Sequence, residues 1–496
     1  MIEGHMENLT RPDLRDNGST SRLSKIVLIS SMAIFGIAAT IFLVNISIVL
    51  YVLFSGTVLL GTIILKKPII GISVLLITLP FVGTSFFSTT INGISGLKIS
   101  NLLPVMVFIL SYLAGEMKHI RKRDAVFFLG IVSLFFIAIL RSTQYMPEYT
   151  MLFWKEEFTL SKYILSFFIK PLLLFVPFVV IIGYARDQKS IHRIAWLYVA
   201  SVFLLSTVML AYYIFFVPDK TDFESVRSSF MTFLSMHGNG IVDYYVLSFP
   251  IVLSMAFYKR NPFVILTLFL SLAIVAILYS RGGYVSIGLA VVLFFLISRR
   301  ALWLPFIGCI GFLSFKFLPS SIVSRVSYGF FSEDLNNISA GRTSNIWLPV
   351  VNEYISNPLK LIFGAGRYGY VGSDAFSQGK VLSVTHAHNM YLDTIFDVGL
   401  VGLAFFLVFI GFYLHHFWVQ MRIEQKSFNG ALLLGIIVAL VSYMIRGMTD
   451  GFLLPETSNA FLWIILALGI SIMNLREDAH HGENTGSAQF IDNRGS

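Results

Sequence analysis

The chain has 496 residues, of which 56% are hydrophobic and only 13% charged, whereas soluble globular proteins carry about 25% charged residues. This composition excludes a soluble enzyme and a disordered chain, and the single cysteine, Cys309, excludes an internal disulfide or a multi-cysteine metal site. The formal net charge of +9 fits the basic inner loops of an all-α polytopic membrane protein, so we expect no nucleic-acid partner.

The N-terminal 25 residues are polar and basic. Residues 1–6 resemble a cloning remnant, Met6 is the expected native start, and residues 1–25 as a whole are predicted to include a cytoplasmic tail. About fourteen apolar segments follow, each close to the roughly 20 residues that a helix needs to cross a bilayer. The predicted spans are 26–44, 47–65, 69–87, 99–115, 125–140, 163–184, 194–217, 241–258, 262–279, 283–298, 302–318, 390–414, 429–447 and 457–474.

Basic residues predict the orientation of these spans. If the N-terminus is inside and the spans alternate, every predicted inner loop carries Lys or Arg, for example Lys118–Arg123 and Arg186–Arg193. Residues 26–318 then form the first eleven transmembrane helices and 390–474 the last three. Both termini are expected in the cytoplasm, with 475–496 as a C-terminal tail.

The longest polar stretch, 319–389, is predicted to be a large periplasmic loop before the twelfth span. Within it, Thr343–Ile355 carries apolar residues at helical spacing, which predicts an amphipathic helix on the outer membrane surface. A second outer segment, 218–240, contains Arg227 and His237.

The sharpest motif lies where the long loop enters the twelfth span. His388 and Asn389 are followed by Gly399 and Gly402. Closely spaced glycines let helices pack together, and polar residues at this place are typical of a helix cap. On the residues alone, His388 therefore has a structural and a functional interpretation of about equal weight.

Three upstream motifs join this one in a set that resembles the O-antigen ligase and polymerase superfamily. They are Ser280-Arg281-Gly282-Gly283, Gly341-Arg342 leading to Trp347, and Asn357-Pro358-Leu359 before Gly364-Ala365-Gly366. The resemblance rests on the order and spacing of the set and covers about residues 240–415.

The resemblance implies a membrane glycosyltransferase of the C type (GT-C-like) that uses no metal or other cofactor and inverts the anomeric centre. Such enzymes take a glycan from undecaprenyl pyrophosphate at the outer face of the bacterial inner membrane. Polymerases pass it to another lipid-linked repeat unit, and ligases pass it to lipid A–core. Fourteen spans and Leu403 after the last motif glycine favour a polymerase. An O-antigen ligase and a lipid-linked glycan transporter are the alternatives, and a chain-length regulator is a candidate partner.

Outer basic residues are the candidates for substrate binding. Cleavage of a glycosyl pyrophosphate leaves negative charge on phosphate, which arginine forks stabilise well. We predict this role for Arg281, Arg342 and Arg227, although each is also explained as an anchoring or solvated charge. Gly282 beside Arg281 is expected to let a ligand approach the backbone. The other outer arginines are interpreted as surface charges: Arg141, Arg325, Arg367 and Arg446.

Two lysines extend this prediction. Lys170, in the sixth span, is a candidate pyrophosphate ligand or the partner of a structural carboxylate. Lys98, at the start of the fourth span, is expected to join the same basic site. Arg446 and Asp450 are expected to pair with each other at helical spacing.

The acceptor hydroxyl must lose a proton as it attacks, and a histidine with a pKa near ~6.5 accepts it at neutral pH. We assign His388 as this general base and count Asn389 among the substrate-binding residues. Asp393, a little over a helical turn further on, is a candidate for orienting His388. Two histidines so close together could hold zinc, but no third ligand stands out near His386 and His388, so we expect no zinc site. Competing candidates for the base are His386, His237, Asp393, Glu333 and Asp334.

Overall fold

The structure is a computed structural model that describes residues 56, 59–88, 98–116, 120–145, 159–315, 336, 339 and 341–492. Every regular element in these ranges is a helix. Seven of the helices are long and apolar enough to cross a membrane, or eight if the bent pair Leu59–Lys66 and Pro68–Phe81 forms one further span. The chain is therefore an all-α, multi-pass membrane protein.

The helices are numbered here in chain order. They are α1 (Leu59–Lys66), α2 (Pro68–Thr78), α3 (Ser85–Ser88), α4 (Ile99–Leu113), α5 (Lys122–Ser142), α6 (Leu160–Tyr184), α7 (Gln188–Phe216), α8 (Phe223–Leu234), α9 (Gly238–Lys259), α10 (Pro262–Ile277), α11 (Arg281–Ile297), α12 (Trp303–Phe315), α13 (Leu348–Ser356), α14 (Pro358–Phe363), α15 (Asp374–Ser377), α16 (Met390–Ile423), α17 (Phe428–Arg446) and α18 (Ala460–Asp492). Turns of 3₁₀ helix occupy Leu79–Phe81, Thr143–Tyr145 and Thr457–Asn459, and π-helical turns occupy Leu165–Ile169 within α6 and Thr343–Trp347 before α13.

A helix lies at the position of each predicted span from the third onward. Several of these helices, among them α4, α10 and α11, are apolar but only 10–17 residues long, so the count of fourteen spans is not confirmed. The first predicted span, 26–44, and most of the second lie outside the described residues. At the C-terminus, α18 continues to Asp492, so most of the predicted tail 475–496 is helical, and its place in the cytoplasm stays a prediction.

Helices α9 and α18 form the centre of the bundle, since 89% of the apolar window of each is buried, against 28% for the peripheral α5. Helix α17 packs closely against α9, where a Cβ on Gly435 would lie 2.7 Å from the Cα of Ile251. Helices α11 and α16 pack against α17 in turn. This arrangement brings the N-terminal ends of α9, α11 and α16 together with the C-terminal end of α17.

Charged contacts at the opposite end of the bundle join segments that were predicted to be cytoplasmic. Arg121 forms ion pairs with Glu477 and Asp478 of α18, and Arg186 pairs with Glu116. Because each of these residues was predicted to lie inside, their meeting is consistent with the predicted alternation of spans.

The motif glycines hold the long loop against α16. The helix breaks at Gly399, whose φ of 71° and ψ of −174° favour glycine. Gly364, with φ of 70°, lies against this break, and a Cβ on it would be 2.4 Å from the carbonyl oxygen of Asp397. The amide of Gly366 donates to that same oxygen at 3.0 Å. Gly399 itself faces the end of α14, where a Cβ on it would be 2.1 Å from the carbonyl oxygen of Ile362. The glycine therefore lets α14 and α16 pack closely, as the packing interpretation of the motif expected.

The helix predicted over Thr343–Ile355 is present, as a π-helical turn followed by α13. Its side chains Ile346, Val350 and Tyr354 are buried, and the hydroxyl of Tyr354 donates to backbone carbonyl oxygens of the loop and of α16. Much of the apolar face that suggested a membrane-surface helix is thus buried in the protein itself.

Candidate active site

His388 lies in the loop that leads into α16, and its backbone is held from two sides. The amide of Met390 donates to the carbonyl oxygen of Gly447 at 2.7 Å, and the indole Nε1 of Trp347 donates to that of Ala387 at 2.7 Å. His388 itself adopts a left-handed conformation with φ of 54°. A non-glycine residue keeps such a conformation where its surroundings over-determine it, which is common at functional sites.

The carboxylate of Asp450 lies between two imidazoles. Its Oδ2 is 3.3 Å from Nδ1 of His388, and its Oδ1 is 3.4 Å from Nε2 of His386. Asp450 is 4% exposed, so these contacts are shielded from water. From the sequence, Asp450 was expected only to pair with Arg446. It lies in a short loop after a predicted span and belongs to no motif that would predict a contact with the two imidazoles.

Asp393 does not orient His388, and that expectation is wrong. Its Oδ1 accepts a hydrogen bond from the amide of Ala387 at 2.7 Å, so it shapes the loop backbone. The carboxylate that contacts the imidazole of His388 is Asp450, which follows α17 and is remote in sequence.

Asn389 caps α16. Its Oδ1 accepts from the amides of Tyr391 and Leu392, each at 3.1 Å, and its Nδ2 donates to the carbonyl oxygen of Met448 at 3.2 Å. This is the structural role considered for the motif. Substrate binding by Asn389 stays a prediction.

Arg227 is connected to Asp450 through the side-chain amide of Asn239, a residue that the sequence had not singled out. Its Nη2 donates to Oδ1 of Asn239 at 3.1 Å, and Nδ2 of Asn239 donates to Oδ2 of Asp450. Ser280, at the start of α11, also donates to Oδ1 of Asn239, at 3.3 Å. Asn239 therefore joins the segment 218–240 and the Ser280 motif to the carboxylate.

Arg342 and Arg281 belong to the same cluster. Nη1 of Arg342 donates to the carbonyl oxygen of Thr449, and the charges of Asp450, Arg446, Arg281 and Arg227 all act on its guanidinium. The three predicted arginines are thus brought together around Asp450, although they come from three distant parts of the sequence.

Gly282 has a different role from the one expected. A Cβ at this position would lie 2.6 Å from Nη1 of Arg446 and 2.6 Å from Oγ1 of Thr449. The missing side chain makes room for the arginine of a neighbouring helix, and not for a ligand on the backbone.

Two arginines interpreted as surface charges are buried instead. Arg446 is 2% exposed, and its Nε lies 3.3 Å from Oδ1 of Asp243; its Nη2 is 4.0 Å from Asp450, as the helical spacing predicted. Arg367 is 1% exposed and donates to Asp397 at 2.8 Å and to Glu456 at 2.6 Å. Asp243, Asp397 and Glu456 lie in distant segments of the chain, so local sequence could not reveal these contacts. Arg325 lies outside the described residues.

The cluster carries excess positive charge. Four guanidinium groups, those of Arg227, Arg281, Arg342 and Arg446, surround two buried carboxylates, Asp243 and Asp450. Burial lowers the pKa of Arg342, but an arginine stays protonated in proteins. Among the described residues, this centre is suited to a phosphate-bearing ligand.

The two imidazoles that share Asp450 differ in basicity. Burial lowers the pKa of His388 below its usual value, and the hydrogen bond to Asp450 does not offset this. Burial acts in the same direction on His386, but Asp450 and nearby carboxylates outweigh it and raise its pKa. Burial alone would raise the pKa of Asp450, yet the bonds from both imidazoles hold it well below its usual range. His388 is therefore the neutral imidazole at pH 7.

The hydrogen bonds also distinguish the two rings. His386 uses both nitrogens, Nε2 towards Asp450 and Nδ1 towards Thr385 at 2.9 Å. His388 uses Nδ1 towards Asp450, and within the described ranges no hydrogen bond engages its Nε2. A neutral His388 whose Nδ1–H donates to Asp450 has the lone pair of Nε2 available as a base.

The remaining candidates for the base are weaker. Nδ1 of His237 accepts from the amide of Asn239 at 3.3 Å, and burial together with the charge of Arg227 lowers the pKa of His237 to about 4. So weak a base accepts a proton poorly at neutral pH. Glu333 and Asp334 lie outside the described residues.

Lys98 and Lys170 do not line the centre formed by the arginines. They line a common cavity of about 190 Å³, together with polar residues of α4. The two lysines therefore meet, as expected, but in a site of their own.

A third metal-ligating group is present near the histidines, contrary to expectation. Ligand atoms of His386, His388 and Asp450 lie within 4.8 Å of one another. The same carboxylate also faces guanidinium groups, and these disfavour a further cation. A phosphate-bearing ligand suits the centre better than a metal ion.

One known protein family matches the segment that carries these motifs. The O-antigen ligase family matches residues 266–407, which include Arg281, Arg342 and His388. No curated protein sequence matches the chain. Arg227 and Asp450 fall outside the matched segment but complete the cluster in space. The match confirms the resemblance drawn from the motifs: residues 266–407 are similar to the O-antigen ligase family.

Proposed function

We propose that the chain is a membrane glycosyltransferase that polymerises oligosaccharide repeat units carried on undecaprenyl pyrophosphate. The observation that carries this proposal is a neutral histidine, held by a buried carboxylate, inside a cluster of four arginines at one end of the helix bundle. The family segment spans the histidine and two of the arginines. Base and anion-binding groups are the two things that transfer from a lipid pyrophosphate requires.

The proposed reaction is a single displacement. Nε2 of His388 takes the proton of the acceptor hydroxyl, whose oxygen attacks the anomeric carbon of the donor sugar. The bond from that carbon to the pyrophosphate oxygen breaks, and polyprenyl pyrophosphate leaves with the electron pair. Attack opposite the leaving group inverts the anomeric centre.

Each group in the cluster has a distinct task in this scheme. Asp450 fixes the tautomer of His388 and stabilises the imidazolium as the proton arrives. Arg281, Arg342 and Arg227 take up the growing negative charge of the leaving pyrophosphate. Chemistry of this kind needs no bound metal or cofactor.

Polymerase is preferred over ligase because of the expected span count and because Leu403 follows the final motif glycine. The family match is described as an O-antigen ligase, so ligation of the glycan to lipid A–core is the second candidate. The proposed setting is the outer face of the bacterial inner membrane, with the centre facing the periplasm, both termini in the cytoplasm and a chain-length regulator as a candidate partner.

One reconstitution separates the candidates. The purified chain is given lipid-linked repeat units, with or without lipid A–core, in the presence of a strong chelator. Polymer formed from repeat units alone supports a polymerase, and glycan appearing only on lipid A–core supports a ligase. Absence of both products, or loss of activity on chelation, contradicts the proposed metal-free transfer.

Replacing Arg281 with lysine tests whether a bidentate contact from its guanidinium group to the phosphate is needed. Arg281→Lys keeps the charge but loses the bidentate contact, so turnover should fall by about 10²-fold, the scale for one lost transition-state donor. Arg193→Lys, at an exposed position of α7, is the matched control and should leave turnover unchanged. If Arg281→Lys and Arg281→Ala both keep full activity at normal protein levels, Arg281 is only an anchoring charge.

Single cysteines test the proposed orientation. In a chain whose Cys309 is replaced, Ser383→Cys should react with an impermeant thiol reagent in cells with a leaky outer membrane. Asn261→Cys, beside the basic Arg260 at the other end of the bundle, should stay unlabelled. The reverse pattern would place the His388 loop in the cytoplasm and remove the basis of the proposed reaction.

A further inference from the structure

The cavity that contains Lys98 and Lys170 presents two like charges at the edge of the membrane-spanning bundle. Lys170 belongs to the span α6, and Lys98 directly precedes α4. Both are half-buried, and their charges repel each other. Across the residues that the structure describes, neither ammonium group forms an ion pair with a carboxylate. Ionisable side chains in such places are usually paired, so a pair of cations points to an anionic occupant.

The helices around the cavity are built irregularly. A π-helical turn, Leu165–Ile169, ends directly before Lys170, and π turns are frequent at functional sites. Pro104 and Pro177 also line the cavity, and each removes a backbone donor from its helix. These interruptions of α4 and α6 therefore lie where the two helices border the cavity.

The cavity lies at the same end of the bundle as His388. Its wall includes Ser235, two residues before His237, and Thr457, seven residues after Asp450. The carbonyl oxygen of Thr457 accepts from the hydroxyl of Tyr244 in the central α9. One segment, 450–457, therefore borders both the catalytic centre and the cavity.

The chemistry of the cavity suits phosphate groups on a lipid. Its volume of about 190 Å³ is below the roughly 300–1,000 Å³ of pockets that enclose whole small molecules. Leu75, Leu79 and Leu173 also line the cavity, and their apolar side chains suit a lipid chain beside a charged head group. Ser100 and Asn101 add hydrogen-bonding groups near the lysines.

We propose that the Lys98–Lys170 cavity binds the pyrophosphate of the lipid-linked acceptor, while the arginine cluster binds that of the donor. This inference rests on the proposed polymerase function, in which both substrates carry the same lipid pyrophosphate. Two separate anion sites let donor and acceptor lie in the membrane together without placing two pyrophosphates in one cluster. A ligase, whose acceptor lacks this group, has no use for the second site.

Counting bound lipid tests the site without any turnover. The full chain is placed in nanodiscs of zwitterionic phospholipid, undecaprenyl pyrophosphate is added, and bound lipid is counted by native mass spectrometry. We expect two molecules per chain for the wild type and one for the double variant Lys98→Gln/Lys170→Gln. Lys380→Gln, at an exposed position of the outer loop, should still bind two. A wild type that binds one, or a double variant that binds two, overturns the proposal.

Competition distinguishes the sources of phosphate. If inorganic pyrophosphate displaces the second lipid just as effectively as unlabelled undecaprenyl pyrophosphate, the cavity is a site for free phosphate. Phosphatidylglycerol that displaces it at equal concentration would indicate a site for bulk anionic lipid. Either result overturns the acceptor assignment, and displacement by undecaprenyl pyrophosphate alone supports it.

Kinetics separate this proposal from the proposed function. In the double variant, the KM for lipid-linked acceptor should rise about tenfold or more, the scale of one lost charged hydrogen bond, while the KM for donor is unchanged. Turnover with the same glycan freed of its lipid pyrophosphate should be unaffected. A wild type that binds two lipids but forms no polymer contradicts the polymerase function, and with it the acceptor role, but leaves a second pyrophosphate site. Equal KM values in the wild type and the double variant contradict the acceptor site alone.

Discussion

His388→Ala should reduce glycan transfer by about 10²–10⁴-fold while the protein stays folded and still binds lipid-linked donor, because a general base contributes on that scale and does not hold the pyrophosphate. Rates are measured with purified lipid-linked repeat units in detergent, and donor binding is measured in parallel. His415→Ala, at an exposed position on α16, is the matched control. Near-normal turnover by His388→Ala would show that His388 is not the general base, and His386 would be the next candidate to replace.

The pH dependence of the native enzyme should reflect the lowered basicity of His388. The base acts only when neutral, so kcat/KM falls as pH drops through its pKa. Burial lowers this pKa, so the acid limb should lie below the ~6.5 of an unperturbed histidine. A limb above pH 6.5 would instead match His386, whose pKa is raised.

Asp450→Asn is expected to be nearly as damaging as loss of the base, with a fall in turnover of up to about 10⁴-fold. The amide no longer fixes the Nδ1–H tautomer of His388 and does not stabilise the imidazolium. Donor affinity should not fall, because the arginine cluster keeps its charge and loses a competing anion. The acid limb should move to still lower pH, because the carboxylate raises the pKa of His388.

The control for this change is Asp374→Asn, which removes an exposed carboxylate from the outer loop. A purely structural role for Asp450 would lower the yield of folded protein and donor binding together. Full turnover in Asp450→Asn, with an unshifted acid limb, would show that another group orients His388.

Hydropathy predicted the helices well because a span needs a run of apolar residues, and such runs are local. A helix lies at each predicted position from α2 onward. The span count was harder, because α4, α10 and α11 are apolar but short. Length alone does not tell whether a short helix crosses the bilayer.

The site was predicted in part. His388, Arg281 and Arg342 sit in ordered motifs, so sequence alone could single them out. Asn239 and Asp450 carry no local motif, and they act only because α9 and α17 pack side by side. The burial of Arg367 had the same cause: its carboxylate partners come from other segments of the chain. Long-range packing was the information that the sequence lacked.

The buried guanidinium of Arg367 has a mechanical consequence. It is bonded to Asp397 beside the break in α16 and to Glu456 in the segment that carries Asp450, and its own amide donates to Ala138 of α5. Arg367 thereby links the long loop, the kinked helix and the segment that carries Asp450. On the proposed function, this linkage holds the carboxylate partner of His388 in place before substrate binds.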